Sequence, residues 1–145
     1  MRLLALCLVL AASPASAGWR NTEWGMNEEE FRSAAPSEVT ITGKGVGVDL
    51  DMQFAVSPVF DGGKLVEVKL VPTENRFCPA AFYGVTETYG EPAYKTENVS
   101  AWESDGNVVL FSQRADSCVV SYQDPAKGQR SKAADSWPAA NTTGF

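Results

Sequence analysis

The chain has 145 residues, no histidine, three cysteines and a formal net charge of −6. The missing imidazole excludes serine triads of the usual kind, histidine-ligated zinc and histidine proton shuttles. The acidic balance excludes the basic face that nucleic acid or an anionic membrane surface requires, and is compatible with a basic protein partner in the cell envelope.

Arg2 precedes an apolar run from Leu3 to Ala12, and Ala15-Ser16-Ala17 forms a small-residue cleavage site ahead of Gly18. This is the pattern of a secretory signal over residues 1–17, and its apolar run is shorter than the about 20 residues that span a bilayer. Cleavage would leave 145 − 17 = 128 residues with 11 basic and 18 acidic side chains, a charge of −7. That length fits one domain, and no other stretch is long and apolar enough for a transmembrane segment. The expected location is the periplasm or the exterior. Cys78 and Cys118 are the two cysteines left after cleavage, and in an oxidising compartment they are expected to pair.

The mature chain opens on a helix start. Asn27 is placed as N-cap with Glu30 three residues on, Met26 and Phe31 are spaced as a hydrophobic staple, and Glu28, Glu29 and Glu30 favour the dipole of the first turn. Pro36 limits this helix to about two turns. The period then becomes alternating: Val39 and Ile41 in one strand, then Val48, Leu50, Met52, Phe54 and Val56 on one side of a second. Asp61-Gly62-Gly63 turns into a third strand with Val66, Val68 and Leu70 inward and Glu67 and Lys69 outward.

Thr73 to Pro92 predicts the central helix. Cys78, Phe82, Val85 and Tyr89 fall on one apolar stripe, Pro79 suits a first turn, and Gly90 and Pro92 stop the helix. Ala80, Ala81 and Gly84 leave little side chain on part of the surface, which permits a close approach to the strands. Three further strands follow, around Trp102, from Val108 to Arg114, and from Cys118 to Gln123, with Asp105-Gly106 as a hairpin turn. The fold class expected is α+β in the order α-βββ-α-βββ, with antiparallel sheet built from two three-stranded meanders and the helices packed on one face. The domain spans residues 18–123, and residues 124–145 have the composition of a flexible tail, Trp137 and Phe145 excepted.

Few residues point to chemistry. Cys78, at a helix start, would ionise readily as a thiol, but without a C-x-x-C spacing or a histidine base it is assigned to the disulfide with Cys118. Asp49 and Asp51 share a strand face and are a weak metal candidate, with Glu67 as a conceivable third ligand; a solvated outer face is the simpler account. Trp19, Trp24 and Tyr83 are the candidate interaction patch, set against the simpler role of Trp24 as a core plug. Asn98-Val99-Ser100 and Asn141-Thr142-Thr143 match the glycosylation pattern. No cofactor motif is present.

The opening Trp24-Gly25-Met26-Asn27-Glu28-Glu29-Glu30-Phe31, the helix end Tyr89-Gly90-Glu91-Pro92 and the following Trp102 resemble a group of small uncharacterised bacterial exported proteins with a W-G-M-x-x-E-E opening and a Y-G-x-P helix end. The resemblance implies a periplasmic α+β domain and transfers no activity. A looser similarity, at fold level alone, is to exported inhibitor and envelope-assembly modules. The functional expectation is a non-catalytic interaction module that binds or inhibits a basic partner. The alternatives are a hydrolase working with carboxylates alone and a carrier of a small apolar ligand between helix and sheet.

Overall fold

The structure, a computed structural model, describes residues 17–44 and 49–126. The signal segment through residue 16, Val48, and the C-terminal segment from residue 127, with Trp137 and Asn141-Thr142-Thr143, lie outside the described residues.

Helix α1 (Glu28–Ala34) starts where the cap pattern placed it. The Glu30 amide donates to Asn27 Oδ1 at 2.9 Å and the Asn27 amide donates to the Glu30 carboxylate at 2.7 Å. Those two bonds satisfy donors that a helix start otherwise leaves to water. Phe31 is its one buried residue, packed edge-on to Phe60 at 6.1 Å.

Strands β1 (Glu38–Lys44), β2 (Asp49–Asp61) and β3 (Lys64–Pro72) form the first meander. A single 3-10 turn (Asn75–Phe77) leads into helix α2 (Cys78–Tyr89). Strands β4 (Tyr94–Lys95), β5 (Val99–Ser104), β6 (Asn107–Arg114) and β7 (Ser117–Gln123) follow. The architecture is thus mostly antiparallel sheet with two helices, as the α+β class anticipates. The second half carries four strands where three were expected. The added one is β4, two residues that Pro92 and the hairpin at Thr96 leave just long enough to pair with Ala101 and Ser100.

All seven strands belong to one sheet in the order β1-β2-β3-β7-β6-β5-β4. The two meanders meet where β3 lies antiparallel to β7, with Glu67 opposite Gln123 and Leu70 opposite Val120. The β2–β3 turn uses Gly62 and Gly63 at φ of 57° and 77°, and the β5–β6 turn uses Asp105 and Gly106 at 52° and 74°. Both pairs adopt the left-handed conformation that tight hairpins require. The Gly25 amide donates to the Leu65 carbonyl and the Leu65 amide to the Met26 carbonyl, so the opening segment lies beside β3 next to the end of β7.

Phe31 of α1 and Cys78, Ala81 and Val85 of α2 enter the same core cluster as Met52, Phe54, Leu70, Trp102, Phe111 and Val120. A second, smaller cluster gathers Tyr94, Ala101, Val108 and Leu110. One sequence expectation is overturned here. Glu67, placed on the solvent side of its strand, is 2% exposed, and its Oε1 accepts a hydrogen bond from Gln123 Nε2 at 3.1 Å. Strand alternation places Glu67 and Lys69 on one face, as read. What it misses is that β3 is central in the sheet, with Val59 of β2 on one side and Gln123 of β7 on the other.

Cys78 and Cys118 form the disulfide, closing a sequence separation of 40 residues. It fastens the start of α2 to the start of β7. Replacing both cysteines by serine is expected to lower the unfolding free energy by about 4 kcal/mol, the loop-closure entropy of a cross-link of this span. Urea denaturation of the two proteins checks it, with a loss below about 1 kcal/mol contradicting the expectation.

Candidate ligand cleft

Helix α2 is held against the sheet at both ends. At its start is the bridge to Cys118. At its end the Tyr89 and Tyr122 hydroxyls meet at 3.4 Å, and Trp102 Nε1 donates to the Gly90 carbonyl at 2.8 Å. Gly90, at φ 81°, carries the chain away from the helix in a conformation that disfavours other residues.

Between the two fastenings the helix and the sheet do not close. A cleft of about 300 Å³, half open to solvent, lies there. Its floor is the sheet, with Ile41 of β1, Met52 and Phe54 of β2, Leu70 of β3 and Val120 and Tyr122 of β7. Its roof is Ala81, Gly84, Val85, Thr88 and Tyr89 of α2, with Glu87 at the side. Strand alternation puts Ile41 opposite Met52 and Val56 opposite Leu70, so the apolar residues of three strands share this face. The volume falls at the lower end of the roughly 300–1,000 Å³ typical of small-molecule sites.

Gly84 explains the gap. A Cβ built on it meets nothing within 4 Å, so the close approach that the small residues permit is made at Ala81, which is buried, and not at Gly84. Gly84 leaves empty volume locally, while Ala81 and Val85 on either side of it are buried in the core. Gly43 contributes differently. A Cβ there would stand 2.6 Å from the Met52 Cε, so the thioether methyl occupies the space the glycine vacates.

Polar groups in the cleft are few. Tyr122 lies against apolar neighbours, and burial pushes its phenol up from the ordinary value; the hydrogen bond with Tyr89 adds to the shift and the Arg20 guanidinium opposes it. Thr88 Oγ1 donates to the Gly84 carbonyl at 2.8 Å. Glu87 accepts from the exposed Tyr83 hydroxyl at 3.4 Å and is the one lining residue with a charged side chain.

The candidate residues read from sequence are distributed as follows. Trp19 is 4% exposed and belongs to the core. Trp24 is half-buried against that core, its indole N–H donating to Asn107 Oδ1 at 2.8 Å, while Asn107 Nδ2 donates to the Gly18 carbonyl at 2.9 Å. Tyr83 is 50% exposed. An exposed patch made of all three aromatics therefore does not form. Asp49 and Asp51 are exposed; Asp51 Oδ1 accepts from Thr42 Oγ1 at 2.7 Å and Asp49 stands opposite Lys44. Among the described residues no three His, Cys, Asp or Glu side chains converge as metal ligands, and Glu67 pairs with Gln123 instead of joining the aspartates. Tyr122, Met52 and Gly43 were not singled out as site residues from sequence; only the β1–β2–β3–β7 order brings them under α2.

No family model matches the chain, and no curated protein or solved structure matches it either. Among the described residues no helix is long and apolar enough to cross a membrane.

Two outcomes follow from this geometry. Gly84→Ala adds a methyl to open space in the middle of a helix and is expected to stabilise the fold by about 0.5–1 kcal/mol, read by urea denaturation. The raised phenol of Tyr122 contributes stability that is complete below about pH 10, the value of an unfolded tyrosine, and is lost as pH rises above it. An alkaline absorbance titration should find one late-ionising phenol in the folded protein, absent from Tyr122→Phe.

Proposed function

We propose that the protein is an exported, non-catalytic binding module that carries a small, mainly apolar ligand in the cleft between α2 and the sheet. The observation that supports it is the open volume over Gly84. A helix interior favours alanine over glycine by about 1 kcal/mol, yet glycine stands at a helical position that lines the cleft and whose Cβ would enter open space. Stability forgone at a concave apolar site is the mark of a binding function.

The frame proposed for the cleft is two helix-plus-meander halves with both helices on the same face of the sheet, the second half extended by β4. An exported location is supported by the disulfide together with the signal pattern over residues 1–17. Of the alternatives, hydrolysis by paired carboxylates has only Glu87 among the cleft residues to draw on. A basic protein partner rests on the acidic balance and on Tyr83, the more exposed of the two exposed large hydrophobic residues described.

The test is a titration of the ¹⁵N-labelled mature protein with toluene, an apolar probe of matching size. Saturable shifts are expected at the amides of Leu70, Ala81, Gly84, Val85 and Val120. Gly84→Phe, which fills the cleft, should abolish them, with Gly84→Ala as the folded control. Titration without saturable shifts at these amides, in a protein whose spectrum is otherwise well dispersed, would sink the proposal.

A further inference from the structure

We infer that the cleft selects an uncharged ligand with a short apolar body and a single hydroxyl head, such as an alcohol or phenol, and rejects carboxylate-headed lipids. This rests on the cleft being a ligand site and adds the chemistry of what occupies it. The apolar body is set by Met52, Phe54, Leu70 and Val120 on the floor, and by the volume. At roughly 30 Å³ per heavy atom with its hydrogens, the share a water molecule takes in the liquid, about 300 Å³ holds about ten heavy atoms. A long acyl chain would leave most of its length outside the cleft, in water.

The head is set by the tyrosine pair. Each phenol offers one donor and one or two acceptor sites, and the contact at 3.4 Å between Tyr89 and Tyr122 uses one proton of the two. One O–H and the remaining lone pairs are left for a ligand oxygen that both donates and accepts. A phenol is neutral in the physiological range even at its ordinary value of about 10, and burial moves Tyr122 further from ionising, so the head meets hydroxyls.

Charge decides against the common anionic amphiphiles. Among the described residues no lysine or arginine lines the cleft and Glu87 is its one acidic side chain, with the Arg20 guanidinium acting on Tyr122 from outside the lining. A carboxylate head entering beside it would be desolvated without a partner and repelled by a like charge. An ammonium head would find Glu87, but Glu87 is bonded to the exposed Tyr83 hydroxyl and not to the part-buried tyrosine pair.

The experiment compares 1-hexanol, hexanoate and hexylamine, which share one apolar body, with toluene as the headless reference, by ¹⁵N chemical-shift titration of the mature protein and of Tyr122→Phe. Hexanol is expected to bind at least about ten-fold more tightly than hexanoate. Tyr122→Phe should weaken hexanol about five-fold and leave toluene unchanged. Hexanoate or hexylamine binding as tightly as hexanol, or hexanol indifferent to Tyr122→Phe, overturns the inference while toluene binding upholds the cleft. If toluene and hexanol both fail to saturate, the cleft is not a ligand site and both statements fall together.

Discussion

The position of α2 is the constraint on which the rest of the molecule depends. A covalent bridge holds its start and a tyrosine contact holds its end, with the Trp102 indole bonded to the carbonyl just beyond. All three anchors reach strands of the second meander, β7 and β5. The cleft lies over β1, β2 and β3 as well as β7, and to those first three strands no polar bond ties the helix among those described. A helix that buried its stripe by hydrophobic contact alone would settle until side chains met strands. Here Ala81 and Val85 are buried in the core, and the space is left locally at Gly84.

The second organising contact is β3 against β7. It turns two meanders, each marginal alone, into one sheet with a continuous core. It also explains the least expected side chain in the fold. Glu67 and Gln123 sit opposite each other at one end of this seam, each 2% exposed, joined by one hydrogen bond. A polar pair in that place costs desolvation whatever its partners, and it matches only in one register, since a slip by one residue would turn both side chains to the other face. The seam is therefore held by apolar area and kept in register by polarity.

Much of this was legible in the residues. The Asn27 cap, the turns at Gly62-Gly63 and Asp105-Gly106, the alternation in β2 and the stripe on α2 are local patterns, and local patterns are what a sequence displays. The pairing of Cys78 with Cys118 followed from counting. What was not legible is whatever depends on the order of strands. Glu67 looks like any outward carboxylate until β7 is known to lie beside it. Gly84 looks like a close-packing residue until its Cβ position is known to face open space. Trp19, taken as surface, is drawn into the core by a turn in which the Thr22 hydroxyl donates to its carbonyl, a bond with no periodic signature. The cleft combines these failures: its walls come from four strands and one helix, and its existence depends on a gap that no side chain announces.

The anchored helix also bears on time. A helix fastened at both ends cannot swing away as a lid, and a cleft half open to solvent does not need it to. On the binding function proposed, a ligand would exchange through the open side without backbone rearrangement, governed by contact strength and diffusion rather than by a conformational gate. That would be the kinetic profile of a shuttle, and the opposite of a vault.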